Sequence, residues 1–341
     1  MEGDKERLIK VSFVVIALNA SSTLNNLFEC LTKQTYPHDQ IEVVLVDGNS
    51  QDSTKSIMQA FKDSEHDFNR VIVLDNPKKT LPCGWNVALD AVTGDAILRV
   101  DAHTSFPENF IELNVRNLNS GESICGGKVI SIPAKTDNWS ITLNEAENSM
   151  FGGSFAAFRH ADSPKYVSTA AFAIYRKEVF DKVGKYNEAL TRTEDNEMHY
   201  RMRKAGFKFY YDPEIVSFRE TRATLGKLLK QKYLNGYWIG RTLGVEPRCF
   251  SFYHFVPFAF VLAIIVSTVF ALSGICWLST TLWIAYGLAN LTMTCIAVIG
   301  CKERKISFVC LPALFLLLHL SYGVGTFVGV VVMITRIILF R

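Results

Sequence analysis

Hydrophobic and polar positions change their period repeatedly along the first third of the chain. Val11–Leu18 is an unbroken apolar run rich in β-branched residues, which predicts a strand buried on both faces. Thr23–Gln34 carries Leu24, Leu27, Phe28 and Leu31 at helical spacing. Glu42–Val46 is a second strand, stopped by Asp47-Gly48-Asn49-Ser50. Ser53–Phe61 reads as a helix, Arg70–Leu74 as a strand, and Gly84–Val92 as a helix ended by Gly94. Asp95–Val100 is the next strand, stopped at Asp101-Ala102-His103. Pro107–Leu118 reads as a helix and Gly126–Ile132 as another strand. Apolar strands separated by helices predict an α/β, Rossmann-like, mostly parallel sheet covered by helices. Such sheets bind ligands beyond the carboxyl ends of their strands. The polar residues found there are Asn19, Asp47 and Asp101 to His103.

Beyond Asn138 this rhythm stops. A helix-like stretch, Asn138–Met150, precedes a Gly/Phe-rich loop, Phe151–Arg159. The strand Ala170–Tyr175, a helix from Arg176 to about Gly184, the helix Asp195–Ala205 and the strand Phe207–Tyr211 follow. Leu225–Arg241 is amphipathic and rich in Lys, Tyr and Trp, a composition suited to a helix lying in a membrane interface.

The pattern then becomes uniform. From Phe252 to Cys301 there are 50 residues without Asp, Glu, Lys or Arg. As a helix that run would cover roughly 75 Å, over twice the ~30 Å hydrocarbon core of a bilayer. A second uncharged run, Ile306–Thr335, has 30 residues. A wholly soluble protein is excluded. About three spans are expected, at 252–274, 278–300 and 306–334, the last too long for one straight crossing. The expected organisation is a polar domain over 1–224, an interfacial segment over 225–250 and a membrane domain over 251–341.

Charge follows this division. The tail from Phe252 has five basic residues and one acid, a net of +4; the chain is +3, so residues 1–251 carry −1. The basic balance belongs to the tail, and the polar part has no excess positive charge to attract nucleic acid. Met1–Lys10 is charged in both signs and the apolar run behind it is short, which argues against a signal peptide. The polar part is therefore expected in the cytoplasm. The basic loop Lys302-Glu303-Arg304-Lys305 agrees, because it returns to that side after two spans. The expected location is the cell (inner) membrane, multi-pass, with the lipid bilayer as a partner. None of the eight cysteines forms a CxxC pair, which disfavours structural zinc and fits reduced thiols.

Four groups of residues can carry chemistry. Asp47 at a strand end can cap the next helix or accept from a ligand N–H, with Gly48 allowing close approach. Asp101 and His103, two residues apart at another strand end, can both reach a divalent metal; with diphosphate oxygens the set suits Mg²⁺ or Mn²⁺. Glu194-Asp195 opens a helix, where acids complement the dipole, but one of the two can serve as a catalytic base. Gln231, Tyr233, Tyr237, Trp238 and Arg241 form an aromatic and cationic belt, or reach a diphosphate or an acceptor.

Taken together these segments resemble the family-2 glycosyltransferases of the GT-A fold, in particular the succinoglycan-type membrane glucosyltransferases. The resemblance runs from about Val11 to Arg241. It rests on Val46-Asp47-Gly48-Asn49-Ser50-Gln51-Asp52-Ser53-Thr54, on Gly94-Asp95 leading to Arg99-Val100-Asp101-Ala102-His103, on Thr193-Glu194-Asp195-Asn196-Glu197 with Arg201, and on Gln231 to Arg241. It implies a GT-A catalytic domain with C-terminal transmembrane helices. Asp47 would hold the nucleobase of a nucleotide sugar, and Asn19, Asn86 and Asp101 would also lie at the donor. Asp101 and His103 match the metal motif, and Asp195 matches the base, with Glu194 beside it. Gln231, Trp238 and Arg241 fall near the diphosphate and acceptor. Two positions depart from the pattern: Asn19-Ala20 stands where Asn-Glu is frequent, and Ser168 stands where an Asp precedes Thr169.

The expected activity is inverting transfer of a sugar from a nucleotide sugar, a UDP-sugar by expectation, to a polyprenyl phosphate- or diphosphate-linked acceptor in surface polysaccharide or glycolipid assembly. The tail supports a lipid-linked acceptor, since a soluble one needs no membrane. The alternatives are a polyprenyl-phosphate sugar synthase, a processive synthase, and a membrane-tethered nucleotide-binding module without catalysis. A transporter is disfavoured, since the spans carry no Asp, Glu, Lys or Arg to line a polar path.

Overall fold

The structure, a computed structural model, describes residues 8–153, 161–301 and 305–339. The charged start Met1–Arg7, most of the loop Phe151–Arg159, Lys302–Arg304 and Arg341 lie outside the described residues.

Residues 1–130 and 156–219 form one compact unit. Its strands are β1 (Val11–Ala17), β2 (Ile41–Asp47), β3 (Arg70–Asp75), β4 (Ala96–Asp101), β5 (Thr104–Ser105), β6 (Ile124–Ile132), β7 (Lys165–Val167), β8 (Ile174–Arg176) and β9 (Phe209–Glu220). They make one sheet in the order β3-β2-β1-β4-β8-β6-β9-β5, with β7 on β9. The first four run parallel, and β8 pairs antiparallel with β4 and β6. The α/β Rossmann-like expectation is met, with an antiparallel half completing the sheet.

Every residue of β1 and β2 is buried, as their unbroken apolar runs require. Val11, Phe13 and Val15 pack on one face with α1 (Leu24–Thr32), α2 (Thr54–Asp63) and α4 (Phe110–Asn119); Val14 and Ile16 pack on the other with α3 (Leu81–Ala91). The same second face is covered by Met198 and Met202 of the helix Glu194–Lys204. That helix follows α5 (Asn138–Asn148) and α6 (Lys177–Val183) in the chain, and is α7.

One polar residue, Glu42, is fully buried in β2. It accepts from Ser12 Oγ, from Thr93 N and Oγ1 (2.5 and 2.8 Å) and from Gly94 N (3.0 Å). Burial opposes its ionisation, and these four donors together overcome burial and hold its carboxyl below the ordinary range. A Cβ at Gly94 would lie 2.6 Å from Ser12 Oγ and 2.7 Å from the Lys10 carbonyl, so the turn before β4 admits only glycine.

β9 extends over Phe209–Glu220, well past the expected Phe207–Tyr211. Asp212-Pro213-Glu214 breaks the apolar alternation. Its carboxylates are taken up by Arg116 (3.0 and 2.7 Å) and Asn117 (2.9 Å), so the strand continues through a polar stretch.

Residues 131–155 and 220–341 form the second unit. It contains α5, α8 (Leu225–Thr242), α9 (Val256–Leu272), α10 (Trp277–Gly300) and α11 (Leu311–Leu339). Phe252–Leu272, Trp277–Gly300 and Ile306–Leu339 are helical stretches long and apolar enough to cross a membrane. Leu143 and Ala146 of α5 and Leu228 of α8 join Ala297, Leu311, Leu314, Phe315 and Leu318 in one apolar cluster.

α8 lies against α11 at backbone distance. A Cβ at Gly236 would be 2.0 Å from the Tyr322 carbonyl; one at Gly325 would be 2.1 Å from the Tyr233 carbonyl, and one at Gly329 2.1 Å from that of Tyr237. The glycines are four apart on both helices, 236 and 240 against 325 and 329, the spacing that lets two helices meet face to face. Gly329→Leu cannot be absorbed by a rotamer change, because the obstacle is backbone. We expect it to separate α8 from α11 and to lower the detergent-solubilised protein's unfolding temperature by several degrees or more, where Val328→Leu on the same helix leaves it within about 2 °C.

Candidate active site

The parallel register sets the site. Ala17 lies opposite Asp47, Ile16 opposite Asp101 and Asp47 opposite Asp75, so the carboxyl ends of β1 to β4 form one edge. The loops leaving β1 and β2 there are cross-linked. Asn19, with φ of +51°, accepts on Oδ1 from Gln51 N (2.8 Å) and donates its own N–H to Ser50 Oγ (3.0 Å). Ala20 N donates to Thr54 Oγ1 (2.7 Å) and Ser21 N to Asp52 (3.2 Å). Asp47 is buried and accepts from Asn49 N (3.1 Å) and Ser50 N (3.2 Å). Its carboxylate closes this turn, while Asp52 caps Thr54 at the start of α2 (3.0 Å).

The second part joins β4 to α7. Arg99 and Asp101 are two residues apart on β4 and share a face. Arg99 Nη2 donates to Glu194 Oε1 (3.2 Å) and Nη1 to Tyr186 Oη (3.4 Å). Its guanidinium lies 4.7 Å from the Trp85 ring centroid and 5.7 Å from that of Tyr186. Glu194 is 2% exposed, and its Oε2 has no hydrogen-bond partner among the described residues. Asp195, next in the chain, is half-buried and accepts on Oδ1 from Asn196 N (2.8 Å). Burial pushes the Glu194 carboxyl well above the usual range; the Asp195 charge adds to this and Arg99 opposes it. Asp195 is raised too, first by burial and further by the charge of Asp101, against Arg99 and the Asn196 N–H. Asp101, Glu194 and Asp195 thus share one electrostatic neighbourhood.

Asn86 is turned inward. Its Nδ2 donates to the Tyr186 carbonyl (3.0 Å) and Glu188 Oε1 (3.2 Å), and its Oδ1 accepts from Tyr186 N (2.8 Å). The side chain brackets the segment that leads into α7. One turn along α7 from Asp195, His199 is buried between Thr169 Oγ1 (2.8 Å) and Tyr175 Oη (2.9 Å), and burial holds it neutral. Ser168 is exposed, and its carbonyl accepts from Arg203.

Gln231, Trp238 and Arg241 belong to α8 in the second unit. Gln231 Oε1 accepts from Arg222 Nε (2.8 Å) and its Nε2 donates to Glu147 (3.4 Å). The Arg241 guanidinium lies 5.3 Å from the Trp238 ring centroid and donates to Tyr237 Oη (3.2 Å).

No group of three His, Cys, Asp or Glu side chains among the described residues could hold a metal by itself. Asp101 and His103, both half-buried, are of types that Mg²⁺ and Mn²⁺ accept, and a metal held by the two would have positions left for phosphate oxygens. The charge balance also fits. Three carboxyl groups, Asp101, Glu194 and Asp195, surround one half-buried cation, Arg99, and a divalent ion would favour their ionised forms.

Arg99, Trp85 and Tyr186 were not among the residues singled out from sequence. The signal was available: an arginine inside a buried strand, two residues before a functional aspartate, must find a carboxylate partner.

The sequence profile described as Glycosyl transferase family 2 matches residues 12–184. A dolichyl N-acetyl-alpha-D-glucosaminyl phosphate 3-beta-D-2,3-diacetamido-2,3-dideoxy-beta-D-glucuronosyltransferase of Methanococcus voltae is 24% identical over 331 residues, covering 94% of this chain and 97% of its own length. Succinoglycan biosynthesis protein ExoA of Rhizobium meliloti is 28% identical over 246 residues, 71% of this chain and 72% of its own. Among solved structures, the mannosyltransferase PcManGT of Pyrobaculum calidifontis, in complex with GDP-Man and Mn²⁺, superimposes with a TM-score of 0.57 at 15% identity, over 94% of this chain and 87% of that one. This last is a likeness of fold.

Two measurements test the site. Chelating divalent metal should abolish activity, with recovery on adding Mg²⁺ or Mn²⁺, and Asp101→Ala should not recover; a metal-independent enzyme refutes the Asp101–His103 assignment. Asn86→Ala strips the Tyr186 backbone of both partners and should cost about 1–3 kcal/mol in denaturant unfolding. A raised donor KM with unchanged stability would instead make Asn86 a direct donor contact.

Proposed function

The chain belongs to glycosyl transferase family 2, and we propose that it is a membrane-bound inverting enzyme that moves a sugar from a nucleotide sugar to a polyprenyl-linked acceptor. The observation that carries this reading is the half-open carboxylate of Asp195, raised in pKa, within the field of Asp101 at the ends of parallel strands. Asp195 takes the proton of the acceptor hydroxyl as that oxygen attacks the anomeric carbon. The bond from that carbon to the diphosphate breaks on the opposite face, so one displacement inverts the configuration. Asp101 and His103 would hold a divalent ion, which when bound would supply positive charge against the departing diphosphate. Asp47 and Asn19 shape the loops assigned to the nucleobase, and Asn86 steadies the segment before α7. Gln231, Trp238 and Arg241 are assigned to the lipid-linked acceptor.

The acceptor class is supported by the tail and by the relatives' names. The Methanococcus voltae relative is named for transfer onto a dolichyl-phosphate sugar, and the Rhizobium meliloti relative for succinoglycan biosynthesis. The three apolar helices would hold the chain in the membrane, with residues 1–224 catalytic and cytoplasmic and 225–250 interfacial. Lys302, Arg304 and Lys305 support that orientation.

Asp195→Asn should retain nucleotide-sugar binding while turnover falls about 10²–10⁴-fold; near-normal turnover removes Asp195 from its role. Membranes given a polyprenyl-linked sugar and a panel of UDP- and GDP-sugars should release one nucleoside diphosphate and lengthen the lipid-linked glycan. Equal transfer to a water-soluble sugar defeats the lipid-linked reading. Product formed on bare polyprenyl phosphate would make the enzyme a polyprenyl-phosphate sugar synthase.

A further inference from the structure

β4 carries two functional side chains on one face, and only Asp101 has been given a role. Arg99, two residues earlier, is a half-buried guanidinium with aromatic rings of Trp85 and Tyr186 beside it. Among the described residues it reaches one carboxylate, Glu194 at 3.2 Å, and makes no hydrogen bond to Asp195. Neighbouring carboxylates on one helix turn are otherwise interchangeable as proton acceptors. Here they differ in exposure and in partner: Glu194 is closed off and paired, whereas Asp195 is half-open and, among the described residues, held by the N–H of the next residue on its own helix.

We propose that Arg99 is a positioning residue that ties Glu194 of α7 to β4, fixing Asp195 as the carboxylate presented to the acceptor and setting its place relative to Asp101. The proposal rests on the transferase reading above. Arg99 touches no reacting atom; it acts through Glu194. The aromatic walls matter to this role. The Trp85 and Tyr186 rings limit where the planar guanidinium can sit, and Asn86 holds the Tyr186 backbone from both sides. A lysine would keep the charge but not the fork or the stacking.

The experiment is a double-mutant cycle on the full chain in membranes. Arg99→Met leaves a buried carboxylate without its cation, and kcat should fall about 100-fold or more with donor KM within about threefold. Glu194→Gln should lower kcat about tenfold, because the tie is weakened while no charge is stranded. The double variant Arg99→Met with Glu194→Gln should recover to within about threefold of Glu194→Gln alone. Arg99→Lys should fall between wild type and Arg99→Met. A double variant no better than Arg99→Met overturns the proposal, as does an Arg99→Met enzyme that keeps kcat and loses donor affinity. If Arg99→Met fails to fold, the double variant and Arg99→Lys still report on the pair. The two readings fail separately: full turnover by Asp195→Asn removes the base assignment, whereas loss of turnover there with no coupling in the cycle removes only the role of Arg99.

Discussion

Parallel pairing of β1 on both sides is the constraint on which the rest depends. The strand is buried from Val11 to Ala17 and is held between β2 and β4 in one register. Its even and odd positions fill two different cores, so a one-residue slip would exchange both sets and expel the contact between Ser12 and Glu42. Each large apolar side chain there contributes about 1.5–3 kcal/mol on burial, which makes the register costly to change. Because the register is fixed, Asp47 and Asp101 end their strands at the same edge of the sheet, one on each side of β1. The loops of β1 and β2 then have no choice but to cross, and Asn19, Ser50 and Gln51 join them.

The two ends of this sheet treat buried carboxylates in opposite ways. At the amino end Glu42 receives four hydrogen bonds, and its ionised form is stabilised despite burial. That end is structural. At the carboxyl end Glu194 receives one cation at 3.2 Å and leaves an oxygen without a hydrogen bond among the described residues, while Asp195 and Asp101 crowd the same space. Charge is under-compensated there. A folded chain tolerates such a deficit only where something else completes it, and a divalent ion with a nucleotide diphosphate is the completion proposed for this site.

Much of this was legible in the residues. The strands β1, β2 and β4 announce themselves as unbroken apolar runs, and the polar residues that stop them mark the site. α7 begins at Glu194, one residue before the expected start, and α8 covers the expected amphipathic stretch. What could not be read depends on partners distant in sequence. Asp47 turns back on Asn49 and Ser50, a local bond no more visible in sequence than a ligand contact. Asn86 bonds 100 residues away to Tyr186, and its sequence neighbourhood carries no sign of that. β9 was under-read because Asp212-Pro213-Glu214 looks like a turn until Arg116 is brought beside it. Arg99 stands in the motif before Asp101, but a single cation in a strand has no period, and only the opposing Glu194, 95 residues on, gives it a role.

The tail shows the same dependence on approach distance. By composition α8 is a polar helix suited to a membrane surface, with Lys227, Lys230 and Arg241 on it. Composition alone would let it slide in that plane. The glycines at 236, 240, 325 and 329 remove that freedom, since helix backbones meet where side chains would otherwise keep them apart. In a bilayer, apolar side chains gain little by choosing one another over lipid, so close backbone packing is what selects a partner for a helix. α8 is therefore fixed against α11, and Gln231, Trp238 and Arg241 are held at set positions along it. A residue assigned to a lipid-linked acceptor needs that fixity more than an enclosed pocket. On the proposed reading the lipid would confine its sugar to the surface, and what the protein would add is a defined place on it.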